Sequence, residues 1–309
     1  MILDLSQVAD LAAATIRIST PLLFAALGGL LNEKAGTFAV GIEGMMLAGA
    51  FTGAISAFAF GNVAFGFVLA ALGGAVIGIL LAFATARCRA DQMVTGLAVN
   101  VLVLGLSSFL LRGLFGGRAP VIRLTPPSAW RLPWLSDIPA IGPILFRQPS
   151  IVYLAFALVV PVTLILTRTR AGLVLRAVGE NPDAAFAAGS DPIRIRMLAI
   201  VAGGALAGLG GAVLALQEVG SFTDGMTNGR GFIALAAILV GRWTPVGAMA
   251  GCLIFGFVSA LELRAQSWGL PVSSYVMQMM PYCLALALLA GISRTARLPA
   301  AIGTPFIRH

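Results

Sequence analysis

The chain has 309 residues, 59% of them hydrophobic and only 10% charged, with a formal net charge of +8. Soluble domains carry about 25% charged residues, so this composition cannot build a water-facing surface, and the chain reads as a membrane protein. Lys34 is the only lysine; the arginines are not interleaved with exposed aromatics as a nucleic-acid groove requires, so they read as anchors at a membrane face.

The first residues, MILDLSQVAD, hold two aspartates and no basic residue. They lack the basic region of a cleaved signal peptide, so the first apolar run is expected to stay as a membrane helix. Crossing the hydrocarbon takes about 20 apolar residues in a helix. Runs of this kind lie at 11–31, 38–60, 64–86, 93–112, 150–167, 197–216, 232–262 and 275–292. They are continuously apolar, whereas barrel strands alternate, and lipid requires every backbone polar group to be satisfied internally. The predicted fold class is all-α, a polytopic membrane helix bundle of about 8–10 transmembrane segments. The pairs Gly49/Gly53, Gly74/Gly78, Gly204/Gly208 and Gly247/Gly251 have the small-xxx-small spacing that lets helices pack backbone to backbone.

Ionisable or amide side chains at membrane depth are expensive and mark candidate sites. Glu43, in VGIEGMML, has glycines on both sides that admit other groups to its carboxylate. It reads as a substrate contact, as a structural brace paired with Arg17 or Lys34, or as a residue near the membrane interface. Asn100, in GLAVNVLVLG, suits a ribose or base edge, or an interhelical hydrogen bond. Gln217, Glu218 and Asp224 follow the sixth run and can line an outer mouth or a solvated loop; Gln278 and Tyr282 are one turn apart and can face a pore together.

Loop arginines orient the bundle. Arg87 and Arg89, the polar hairpin at 168–196, and the tail with Arg294, Arg297 and Arg308 fall on one side, read as cytoplasmic. The 113–149 loop then faces outward despite its own arginines, with Trp130 and Trp134 at the interface, and the N-terminus lies outside. The run 232–262 is interrupted by GRWTP at 241–245. The piece 232–240 rises only about 13 Å, too short to cross, so a broken or re-entrant helix is expected there, the kind that lines transporter binding sites.

The hairpin holds the sequence NPDAAFAAG, 181–189. Asn181 can cap a helix, Pro182 fits its first turn, Asp183 suits the positive end and Gly189 can stop it. The product is a two-turn alanine helix with one large knob, Phe186. Its small faces suit docking in a groove of another protein; packing on its own bundle is the alternative.

The motif Asp183-Ala184-Ala185-x-x-x-Gly189 resembles the Glu-Ala-Ala-x-x-x-Gly signature of ATP-binding cassette (ABC) importer permeases. The stretches at 32–51, 94–106, 231–256 and 279–289 resemble the nucleoside and simple-sugar branch of the branched-chain amino acid, ribose and nucleoside permeases; the chain departs at Ala39, where many relatives carry asparagine. The resemblance implies one transmembrane permease domain over 1–309 with a cytoplasmic coupling loop at 168–196. It implies that Asp183, Ala184, Ala185, Phe186 and Gly189 couple to an ATPase subunit, with Arg176 and Glu180 bracing the loop or touching the ATPase. Glu43, Asn100, Gln217, Glu218 and Gln278 are the candidate substrate pathway. The implied partners are ABC ATPase subunits, a second permease chain, an extracellular or periplasmic substrate-binding protein and a polar small molecule. The implied setting is the bacterial inner membrane.

A Walker loop needs Gly-Lys-Ser/Thr, and Lys34 is followed by Ala35. The only histidine is His309, and Cys88, Cys252 and Cys283 lie far apart without Cys-x-x-Cys spacing. No catalytic or metal constellation is expected, and no cofactor in this chain; ATP and Mg would sit on the partner ATPase. The expected function is the transmembrane subunit of an ATP-driven importer, for nucleosides, working by alternating access. A ribose, other sugar or branched-chain amino acid permease is the alternative. An ion-coupled secondary transporter, a different class, would take up solute without the ATPase.

Overall fold

The computed structural model describes residues 5–116, 141–267, 276–277, 279–292 and 298–306. Their regular elements are all helices: α1 Leu5–Lys34, α2 Ile42–Phe60, α3 Val63–Ala82, α4 Gln92–Phe115, α5 Ile141–Leu145, α6 Ser150–Arg168, α7 Arg170–Glu180, α8 Pro182–Ala187, α9 Pro192–Ala212, α10 Arg230–Val240, α11 Pro245–Ser267 and α12 Met280–Ile292. A 3-10 turn at Ala39–Gly41 leads into α2, and π turns extend α3 to Arg87 and α9 to Val219. Among the described residues, seven helices are long and apolar enough to cross a membrane, and α10 is a shorter apolar helix beside them. Trp130 and Trp134 lie outside the described residues.

The spans begin and end where side chains satisfy the free backbone groups. Asn62 accepts the Ala64 and Phe65 N–H groups at the start of α3, and Asp91 accepts that of Val94 at the start of α4. Gly61 and Gly116, at φ 64° and 62°, close α2 and α4 in the left-handed conformation that stops a helix.

At the centre α2, α3 and α9 cross with backbone against backbone at several glycines. A methyl group on Gly208 of α9 would overlap the Ala70 carbonyl of α3 and lie 3.1 Å from the Gly74 Cα. One on Gly49 of α2 would overlap Gly208, and one on Gly74 would overlap the Gly204 carbonyl. Of the four spaced glycine pairs, three therefore meet at this crossing. The fourth closes the α10–α11 hairpin, where Gly247 abuts Gly241 and Gly251 abuts Ala237. Around the crossing, α1 buries its Leu22–Leu27 stretch against α9 and α11.

The run 232–262 is broken, as its sequence indicates. Pro245 cannot continue a helix from the preceding turn, and Arg242 and Trp243 take φ 52° and 54°, left-handed values that non-glycine residues seldom adopt. Trp243 is 1% exposed, and its indole N–H donates to the equally buried Glu33 carboxylate. That bond fixes the turn between α10 and α11 to the end of α1.

The polar hairpin has a different outline from the 168–196 loop expected. Asp191 accepts the N–H groups of Ile193 and Arg194 and Pro192 opens the first turn, so α9 starts at Pro192. Arg196, counted among the arginines of the cytoplasmic hairpin, sits within α9 and is 2% exposed.

Candidate functional site

Phe38 donates its N–H to the Gln92 Oε1 at 2.8 Å, and α2 begins just beyond, at Ile42. Glu43 therefore sits in the first turn of α2, where the helix dipole favours a carboxylate. Its side chain reaches across to another helix. Oε1 accepts the Gly229 N–H at 2.8 Å and Oε2 accepts the Gly231 N–H at 2.7 Å. These donors stand at the start of α10, so Glu43 caps a helix that lies far from it in the chain. Gly231 allows this approach: a methyl there would lie 2.7 Å from both the Glu43 Cα and Oε2.

Asn100, in the third turn of α4, makes a parallel link. Its Nδ2 donates to the Val40 carbonyl at 2.9 Å and its Oδ1 accepts the Gly44 N–H at 2.8 Å. One amide thus bonds both sides of the junction between the 3-10 turn and α2. Glu43, Asn100, Thr227 and Asn228 make the polar side of a cavity of about 500 Å³, with Leu47, Leu97, Val101, Leu104 and Phe232 on the apolar side. A carboxylate oxygen has two lone pairs and an amide nitrogen two hydrogens. The bonds described leave acceptor sites on Glu43 and a donor on Asn100. Brace and solute contact are thus compatible at both residues. The brace, however, is not the pairing of Glu43 with Arg17 or Lys34 considered from sequence; it is made with backbone N–H groups.

A second cavity, of about 400 Å³, lies on the other side of Asn228, between α1, α10, α11 and α12. There Arg230 pairs with Glu218 at 3.1 Å, and the Tyr282 hydroxyl donates to the Asn228 carbonyl at 2.8 Å. Glu262 and Ser259 also line it. Asp224 instead accepts the Ser108 hydroxyl at 3.0 Å, and no donor among the described residues reaches the buried Oε1 of Gln217. Gln278 lies outside the described residues. Sequence reading missed Arg230 and Glu262, although an ionisable residue beside or within an apolar run was the available signal.

At the opposite end of α9 from these cavities lies α8. Asn181 Oδ1 accepts the Ala184 N–H at 3.0 Å, and Pro182 occupies the first turn. The Ser190 N–H returns to the Ala185 carbonyl at 3.0 Å around Gly189, at φ 87°. Asp183, Ala184, Ala187, Ala188 and Gly189 face outward, while Ala185 is buried and Phe186 half-buried. Phe186 turns back on its own chain, its ring centroid 5.5 Å from that of Phe306. Glu180 Oε2 accepts the Ala300 N–H at 3.3 Å, and Arg176 Nε donates to the Gly172 carbonyl at 3.4 Å within its own helix. Both are thereby engaged within the chain.

A bundle of apolar spans, interrupted by a short helix whose first turn borders two cavities with polar groups at one side, is the arrangement of a membrane transport protein. The chain belongs to the branched-chain amino acid transport system / permease component family, whose pattern matches residues 11–293. It is 35% identical to the guanosine ABC transporter permease protein NupQ of Bacillus subtilis, over 99% of each chain. It is 37% identical to the nucleoside ABC transporter permease protein NupC of Lactococcus lactis, over 94% of each. A putative glucose ABC transporter permease protein of Haloferax volcanii, TsgC13, is 35% identical over 86% of this chain and 80% of that protein. No solved structure matches.

Proposed function

We propose that this permease is the transmembrane subunit of an ABC importer for nucleosides. The observation that carries the reading is the cavity between α2, α4 and α10. It sets Glu43, Asn100, Thr227 and Asn228 opposite an aliphatic and aromatic wall. A nucleoside has a hydroxylated sugar for the first side and a flat base for the second. The near full-length similarity to NupQ and NupC supports that solute class. The similarity to TsgC13 favours a second reading, a sugar, which would use the polar side alone.

In this mechanism a substrate-binding protein delivers the nucleoside to one end of the bundle. An ATPase subunit docks on the outward face of α8, through Asp183, Ala184, Ala187 and Ala188, with Phe186 holding α8 to the bundle. ATP and Mg belong to that subunit, and a second permease chain completes the pathway. The chain sits in the bacterial inner membrane with α8 in the cytoplasm and the N-terminus outside.

The test is uptake of labelled guanosine into vesicles holding the complete transporter, with glucose and leucine as competitors. ATP-dependent guanosine uptake, unaffected by either competitor, is expected. Uptake of glucose alone would replace the nucleoside reading with the sugar one, and uptake driven by an ion gradient without ATP would end both. For docking, Ala184→Trp should abolish copurification of the ATPase while the permease stays in the membrane. An ATPase that still copurifies would remove α8 as its seat.

A further inference from the structure

The residues 298–306, which follow α12, line neither the cavity between α2, α4 and α10 nor the outward face of α8. They are nonetheless tied to the bundle at several points. Ala301 donates its N–H to the Gly179 carbonyl at 3.0 Å, and Ala300 donates to Glu180 Oε2, so the segment is tied to the end of α7. The Phe306 ring packs at a 53° tilt against that of Phe186 of α8. Gly303, at φ 79°, lies so close to Phe38 that a methyl on it would be 2.6 Å from the ring.

Arg196 fastens this arrangement from α9. Its Nη1 donates to the Thr304 carbonyl at 2.7 Å, its Nη2 to the Ala301 carbonyl at 3.3 Å, and its Nε to the Ala35 carbonyl at 3.2 Å. Ala35 follows the last residue of α1, where the peptide dipoles leave negative potential for a cation. A guanidinium fork can hold three carbonyls in fixed directions; an ammonium cannot reproduce that geometry. Removing the segment would strip two of the three acceptors from a charge that is 2% exposed, which is strongly unfavourable. The segment is thus held to both α8 and the α1–α2 turn.

From Phe38 the path to the cavity is short. The Phe38 N–H bonds Gln92, the 3-10 turn follows, and Glu43 caps α10 five residues on. We propose that the 298–306 segment is a strap that carries displacement of α8 to the α1–α2 turn, with Arg196 as its positioning residue. The proposal rests on α8 being the ATPase seat; the strap itself is an independent claim about what lies between that seat and the solute.

The test compares Arg196→Gln, Arg196→Lys and Phe306→Ala in the reconstituted complete transporter. It measures ATPase copurification, ATP hydrolysis and guanosine uptake. Copurification and hydrolysis are expected within about twofold of the parent while uptake per ATP falls about tenfold or more, a size typical of coupling between linked sites. Arg196→Lys should recover part of that ratio. Uptake per ATP that matches the parent in both Arg196→Gln and Phe306→Ala would overturn the strap. So would loss of uptake and hydrolysis in proportion. Should Arg196→Gln fail to fold, Phe306→Ala alone decides, because it leaves the buried charge satisfied. Failure of the docking reading is seen separately, as an ATPase that still copurifies with Ala184→Trp.

Discussion

Glu43 concentrates the chemistry of the cavity in one side chain. Each carboxylate oxygen holds one backbone N–H of the start of α10, at 2.8 and 2.7 Å. Hydrogen bonds to a charged group contribute about 1.5–3 kcal/mol each. Glu43→Gln keeps the shape but turns one acceptor into a donor that faces an N–H. The variant should melt at a lower temperature in detergent and lose most guanosine uptake, the two effects together. A variant with parental melting and altered apparent affinity would mean the bonds to Gly229 and Gly231 are dispensable. Asn100 offers a contrast in kind. Its neutral amide bonds Val40 and Gly44, on either side of the entrance to α2. Asn100→Leu leaves the part-buried Gly44 N–H and Val40 C=O without this partner, at up to about 1–3 kcal/mol per group, and the same melting measurement should register it. The presence of an ionisable group and an amide inside apolar runs was plain from the sequence. Their partners were not, because Gly229 and Gly231 lie 186 and 188 residues from Glu43.

Among the elements, the crossing of α2, α3 and α9 depends on what its residues lack. A Cβ at Gly208 meets backbone atoms of Ala70 and Gly74, which cannot rotate away. Overpacking of this kind costs about 1–3 kcal/mol and sometimes more, so Gly208→Leu should lower the melting temperature sharply and increase proteolysis. Gly105 of α4, with nothing within 4 Å of its Cβ position, supplies the control. Gly105→Ala should leave melting unchanged or raise it, since glycine in a helix interior is about 1 kcal/mol worse than alanine. Equal effects at both positions would refute close packing as the role of Gly208. The spacing of the glycine pairs was visible in the sequence, and so were both ends of α8, because Asn181, Pro182 and Gly189 act within a few residues of themselves. Which glycine meets which could not be read, since spacing along one helix says nothing about its neighbour.

For the whole molecule, the two ends of the bundle are marked out by α3. The turn after α2, at Phe60–Asn62, and α8 lie at opposite ends of the α3 span: Phe83 and Arg87 at its far end border the same pocket as Phe186. A membrane must therefore separate the two. In a Cys88→Ser, Cys283→Ser background, Phe60→Cys should react with an impermeant thiol reagent from outside, and Ala187→Cys only after permeabilisation. Labelling of both from one side would contradict the arrangement of spans, and the reverse pattern would invert the orientation.

Composition and apolar run length determined by themselves that the chain is an α-helical membrane bundle and where most spans lie, and the GRWTP interruption that the run 232–262 is broken. Hydropathy records which stretches leave water for lipid or protein, and caps and prolines act between near neighbours, so a linear reading reaches them. Only the tertiary structure decided that Glu43 caps α10, that Phe186 faces its own chain, and that Arg196 binds Thr304 across 108 residues. The direction in which a helix faces leaves little mark when nearly every residue on it is apolar. Contacts across the bundle are chosen by three-dimensional packing, and no local pattern encodes their partners.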